Sequence, residues 1–236
     1  MIITEMPMKN FKQFEEHVHI TFNDKTLLKQ AFTHRSYINE HAHSGLEHNE
    51  RLEFLGDAVL ELVVTDYLYE KYPEKPEGEL TAFRSSLVNT KSISAAAEEI
   101  GANDYLLLSR GEARDTGKAR QYILANTFEA IIGAIYLDQG YDVARDFIAG
   151  TLFEKLEHII KHNLWRDAKS WIQERAQEVE NITPTYNVLK ESGPDHDKEF
   201  TVGVYFGDTL IAEGVGTSKQ EAEQNAARAG LDTKGW

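Results

Sequence analysis

Apolar residues recur at helical spacing from the start of this 236-residue chain to about Asn163, and β-rich stretches enter only after Thr183. The spacing predicts short helices over Lys9–Val18 and Lys25–Phe32, with Asn23 or Asp24 capping the second. A polar stretch, 41–48, reads as a loop. Asn49–Leu62, NERLEFLGDAVLEL, then reads as one helix with Leu52, Leu55, Val59, Leu60 and Val63 facing inward. It runs on to Pro73, where Pro73 and Pro76 forbid further helix. More helices are expected over EGELTAFRSSLV (77–88), Thr90–Ile100, roughly Asp104–Ser109, Ile123–Gln139 and Tyr141–Asn163. Gly111–Tyr122 is glycine-broken and partly basic, and is expected as a mobile loop. Residues 1–163 therefore read as an all-α domain.

The pattern changes near Trp165. Asp167–Glu180 is an amphipathic helix with Trp171, Ile172, Ala176 and Val179 inward. Strands are expected over Thr183–Lys190, Glu199–Phe206 and Thr209–Gly214, separated by GPDHDK and GD, and a last helix over Ser218–Leu231. Short hairpin loops make the sheet antiparallel. Residues 164–236 thus form a small α+β domain, α-β-β-β-α, with two helices on one face of three strands.

Composition excludes several classes. There are no cysteines, which rules out disulfides and thiolate zinc sites and agrees with a reducing cytoplasm. The polar, acid-bearing first residues do not fit a secretory signal, and the longest apolar run is too short to span a bilayer, so a cytoplasmic protein is expected. The net charge of −14 runs against the basic footprint of most nucleic-acid binders.

The candidate chemistry lies on two helices. Glu50, Glu53 and Asp57 are spaced i, i+3, i+7 and share one helical face. Carboxylates stacked beside a buried stripe repel one another, and a hard divalent cation such as Mg²⁺ is the usual remedy. The plain alternative is a solvated acidic face on an ordinary amphipathic helix. Asn126 and Glu129 are spaced i, i+3 on the helix 123–139 and can point at the same place. Gly56 costs roughly 1 kcal/mol within a helix, which suggests close approach of another backbone or a tight site. His41, His43 and His48 have the irregular spacing of solvated loop histidines.

NERLEFLGDAVL closely resembles the signature of the ribonuclease III family, endonucleases that cut double-stranded RNA, and THRSYINE (33–40) resembles a second stretch of it. GPDHDKEF and TSKQEAEQNAARAGL, in their α-β-β-β-α order, resemble a double-stranded RNA-binding domain. The resemblance implies Mg²⁺ held by Glu53, Asp57, Asn126 and Glu129, with Mn²⁺ able to substitute, and places Glu50 and Glu77 near the cleavage site. The family has aspartate where this chain has Asn126. An amide still offers an oxygen but lacks the charge and cannot take a proton. The resemblance also implies a homodimer in which Phe54 docks into the partner; an ordinary core phenylalanine is the competing reading. In the second domain Ser170, Gln173 and Glu174 would reach sugars and base edges, His196 the minor groove, and Lys219 the phosphates. Each is otherwise a plain surface or turn residue. Gln220 stands where many relatives carry a second lysine, so weak, salt-sensitive RNA binding is expected of this domain.

The function implied is an endoribonuclease that processes ribosomal RNA precursors, messenger RNA and other structured RNA, leaving 5′ phosphates and short 3′ overhangs. Asn126 favours a second class, a weak or inactive double-stranded RNA-binding protein of the same fold; the retained acids count against it. A hydrolase of small phosphoesters would leave the second domain unexplained.

Overall fold

The computed structural model describes residues 9–194 and 198–236. The chain separates into two compact units, 1–162 and 163–236. The first contains α1 (Phe11–Val18), α2 (Lys25–Ala31), α3 (Arg35–Glu40), α4 (Glu50–Lys71), α5 (Glu77–Leu87), α6 (Thr90–Glu99), α7 (Lys118–Gln139) and α8 (Tyr141–Lys161). Its axis is α7, whose Leu124, Phe128, Ile131, Ile132 and Ile135 are buried on several sides of the helix. A helix apolar around its circumference must be surrounded. Gly140, at φ 86°, ends it and turns the chain into α8.

The α4–α7 crossing is backbone to backbone. A Cβ at Gly56 would lie 1.7 Å from the carbonyl oxygen of Glu129, and one at Gly133 would lie 2.2 Å from that of Leu52. Two glycines therefore let the helices approach more closely than any side chain permits, as the glycine inside the acidic helix suggested. The start of α4 is pinned as well. Asn49 donates its backbone N–H to Thr33 O at 2.9 Å and its buried amide to Ala31 O at 3.0 Å.

Long-range pairing overrides local pattern in one place. Residues 104–109 are not an α-helix. A 3-10 turn, Ala102–Tyr105, gives way to extended chain, because Leu107 bridges Thr33 and the Ser109 N–H donates to Ser36 Oγ at 3.0 Å. The stretch 33–40 forms α3, capped by His34 Nδ1, which accepts from the Ser36 N–H. Helix α7 begins at Lys118, five residues before the expected Ile123, so only 111–117 stays outside the long helices, with a 3-10 turn over Glu112–Arg114. Arg120 ties that loop back by donating to the carbonyls of Asp115 and Glu112 at 3.2 and 2.8 Å.

The second unit runs α9 (Ala168–Glu180), β1 (Thr185–Ser192), β2 (Glu199–Phe206), β3 (Thr209–Gly216) and α10 (Lys219–Lys234). The strands are antiparallel in the order β1-β2-β3. Val204 and Phe206 meet Ile172 and Ala176 of α9 and Ala226, Ala227 and Leu231 of α10 in one core, which puts both helices on the same face. Gly214 and Gly216 allow this: Cβ atoms there would lie 2.0 Å and 2.6 Å from backbone nitrogens of α10. Val179 is not inward, being 55% exposed, since the α9 part of the core ends at Ala176. Among the described residues no helix is long and apolar enough to cross a membrane.

Candidate active site and RNA-binding face

The close crossing of α4 and α7 builds the candidate site. Gly56 rests on the backbone of Glu129, so Asp57 and Glu53, one and three residues away on α4, face the polar positions in the mostly buried stretch 123–135 of α7. Glu53 is pushed above the ordinary carboxylate range, first by burial and then by the charges of Glu50 and Asp57. A hydrogen bond donated by the Asn126 side chain opposes that rise. Glu129 is pushed up to about 7, by burial first and then by Asp57, Glu53 and Glu61.

Glu53, Asp57, Asn126 and Glu129 thus come together, with Glu50 at the edge. Glu50 lies 3.4 Å from Arg35 and 3.7 Å from His48 Nδ1. Among the described residues no three His, Asp or Glu side chains converge as a preformed cation cage. The chemistry of the donor set nevertheless suits a hard cation. Every donor is an oxygen, three are carboxylates, and burial followed by mutual repulsion raises the pKa of Glu53 and Glu129, a penalty that a cation would relieve.

Glu77 is not among the charges that act on Glu53 or Glu129. It opens α5, accepts from Thr81 Oγ at 2.9 Å, and lines a cavity of about 430 Å³ between α4 and α5 with Leu68, Tyr69 and Leu80. Phe54 is 80% exposed, which excludes a place in the core. It heads an apolar stripe on α4 that continues through Leu62 and Tyr69, both exposed. Sequence reasoning missed Glu61, whose negative charge helps to raise the pKa of Glu129 and which pairs with Arg84 at 2.8 Å. Its signal was legible: Glu61 stands four residues beyond Asp57.

In the second unit Ser170, Gln173 and Glu174 are exposed on α9, and Lys219 is exposed as the first residue of α10. Asp167 caps α9 by accepting from the Ser170 N–H at 2.7 Å. His196 lies outside the described residues.

The fold and the site together define a class: a helical nuclease unit carried on the same chain as a reader of duplex RNA. Comparison with known proteins agrees. A family profile described as Ribonuclease-III-like matches residues 24–156, and one described as Double-stranded RNA binding motif matches 168–233. "Ribonuclease 3" of Latilactobacillus sakei is 46% identical over 213 residues, covering 90% of this chain and 92% of that protein. "Ribonuclease 3" of Carboxydothermus hydrogenoformans is 45% identical over 227 residues, covering 96% and 97%. The crystal structure of the nuclease domain of ribonuclease III from Campylobacter jejuni aligns with a TM-score of 0.54 at 41% identity, covering 61% of this chain and 96% of that one. A second structure of that domain, described by flexibility in a region involved in dimer formation, gives the same score at 40% identity, covering 60% and 98%. The chain belongs to the ribonuclease III family and is an endoribonuclease.

Proposed function

We propose that the protein cuts both strands of double-stranded RNA in a Mg²⁺-dependent reaction, leaving 5′ phosphates and short 3′ overhangs, with Mn²⁺ able to substitute. The observation that carries this reading is the glycine-mediated crossing that gathers Glu53, Asp57, Asn126 and Glu129 on one patch of two helices. A divalent cation bound there would supply Lewis-acid charge and a coordinated water of lowered pKa. Glu53, Asp57 and Glu129 supply the anionic oxygens, and Asn126 a neutral one. The Asn126 amide also donates to Glu53 and holds that carboxylate in place. Glu129, pushed up to about 7 mainly by burial in the metal-free protein, would hold the cation in its ionised form. One charge fewer at position 126 weakens cation binding, so Asn126 lowers activity at limiting Mg²⁺ without abolishing it.

One such cluster cuts one strand, and two strands call for two copies. The stripe of Phe54, Leu62 and Tyr69 and the cavity between α4 and α5 offer a knob and a hole on one surface, the requirement for a two-fold interface. A partner whose Phe54 enters that cavity brings its own Glu53 and Asp57 towards Glu77, so Glu77 would serve the site across the dimer. Ser170, Gln173, Glu174, His196 and Lys219 would hold the duplex, and the natural setting is processing of ribosomal RNA precursors and other structured RNA in the cytoplasm.

The test is cleavage of a long RNA duplex with Mg²⁺ by this protein and its Asn126→Asp variant, with the ends sequenced. Staggered cuts with 5′ phosphates from both, the variant needing less Mg²⁺, are expected. Cutting by the variant alone would favour the second reading, a binding protein disabled at Asn126. Cutting by neither would overturn the assignment of the site.

A further inference from the structure

Electrostatically the second unit is ill suited to RNA. From 167 to 236 it has seven Lys or Arg against thirteen Asp or Glu, a net charge of −6. Phosphate contacts supply much of the affinity at such interfaces. Moreover, at least four of the seven cations already hold an acid: Lys169 with Glu223 at 2.5 Å, Arg175 with Glu178 at 2.6 Å, Lys219 with Glu191 at 3.0 Å and Lys234 with Glu180 at 2.7 Å.

Among these, Lys219 stands at the N-terminus of the 16-residue helix α10, where exposed N–H groups and the helix dipole favour an anion. Internal carboxylates already serve that end. Glu221 accepts from the Thr217 N–H at 2.8 Å and its hydroxyl at 2.7 Å, while its own N–H donates to Ser218 Oγ at 3.2 Å. This reciprocal cap fixes one negative charge at the helix start. A second comes from the sheet. Glu191 lies opposite Phe200 in the β1–β2 register, and the Lys219 ammonium sits 5.5 Å above the Phe200 ring while it pairs with Glu191. Strand, ring and helix terminus together set where that lysine points.

We infer that Glu191 is an internal stand-in for an RNA phosphate: it occupies Lys219 in the free protein and must release it when a duplex binds. The inference rests on the reading of this unit as the RNA-binding one. Glu191 weakens binding in two ways, by competing for the ammonium and by repelling the phosphate that replaces it. It also blunts the salt response. A lysine accompanied by a carboxylate brings little net charge to the RNA backbone, whereas an unaccompanied one displaces close to one counterion. With Gln220 following it, Lys219 has no adjacent lysine in sequence to share the contact.

The experiment measures binding of the full chain to an RNA duplex longer than the roughly 16 base pairs such a unit spans. EDTA prevents cleavage, and fluorescence anisotropy is read over a salt series. Glu191→Gln is expected to bind about three- to fivefold tighter, with a salt slope steeper by close to one. Glu180→Gln removes the same charge from the pair at the far end of α10 and is expected to change neither quantity. Adding Lys219→Ala to Glu191→Gln should erase the gain. Unchanged affinity in Glu191→Gln, an equal gain in Glu180→Gln, or a gain that survives Lys219→Ala would each overturn the inference while leaving the RNA-binding reading intact. No duplex binding by any of the proteins would overturn both.

Discussion

Gly56→Ala is the sharpest perturbation of the site, because it acts on the spacing of α4 and α7 without touching a functional side chain. The new Cβ would lie 1.7 Å from the Glu129 carbonyl oxygen, 2.6 Å from its carbon and 2.8 Å from the Gly133 nitrogen. All three are backbone atoms, so no side chain can rotate away. Relief to an ordinary contact requires the helices to part by roughly 1.5 Å. Overpacking of this kind typically costs 1–3 kcal/mol, and rigid neighbours put it at the upper end, about 3 kcal/mol even after the roughly 1 kcal/mol that alanine gains over glycine in a helix. At about 2–4 °C per kcal/mol, the melting point of the first unit falls by roughly 6–12 °C. The same movement separates Glu53 and Asp57 from Asn126 and Glu129 by more than an ångström, enough to lower the cleavage rate on the order of 100-fold. Circular dichroism melts and single-turnover cleavage of a duplex measure the two effects. Gly150→Ala is the control: its Cβ meets nothing within 4 Å in α8, and alanine there stabilises by about 0.5–1 kcal/mol. A Gly56→Ala protein that melts and cuts like its parent would refute the argument.

Three further outcomes follow from the same geometry. Glu129 has a folded-state pKa near 7, above its ordinary value near 4.5, so the metal-free native state binds more protons than the unfolded chain between those pH values. Its contribution to stability is present in full below pH 4.5 and is lost as pH rises through 7, by about 1–2 kcal/mol after allowance for solvent; metal-free melting curves across that window should show the decline, and Mg²⁺ at pH 7.5 should reverse it. Asn126→Asp places a further carboxylate beside Glu53 and removes the amide that donates to it. That variant should melt a few degrees lower than its parent in EDTA at pH 8 yet reach half-maximal cleavage at lower Mg²⁺; a higher Mg²⁺ requirement would count against Asn126 as a ligand. Phe54→Glu should keep the helical fold by circular dichroism, since the side chain is 80% exposed within its own chain, while sedimentation shows a monomer; a stable dimer would remove Phe54 from the interface.

Much of this molecule is legible one residue at a time. The i, i+3, i+7 acids, the glycine among them, and the prolines that end α4 are local facts, and local periodicity dictates both long helices and the α-β-β-β-α order. Position 126 is equally plain, because an amide in place of a carboxylate is a fact of composition. Tertiary structure alone decided the rest, through contacts between residues far apart in sequence. Segment 104–109 has the composition of a helix and becomes extended chain because Leu107 bridges Thr33. Phe54 fits a core position or a surface one by spacing, and the packing of α4 on α7 leaves it outside. Glu77 reads as a member of the acidic cluster, yet α5 carries it to a separate cavity. Lys219 reads as a free cation, and β1 brings Glu191 to it. Periodicity fixes which face of a helix is apolar, but only the crossing of helices and strands fixes which charges meet. That crossing depends on backbone approaches that a string of letters shows merely as glycine.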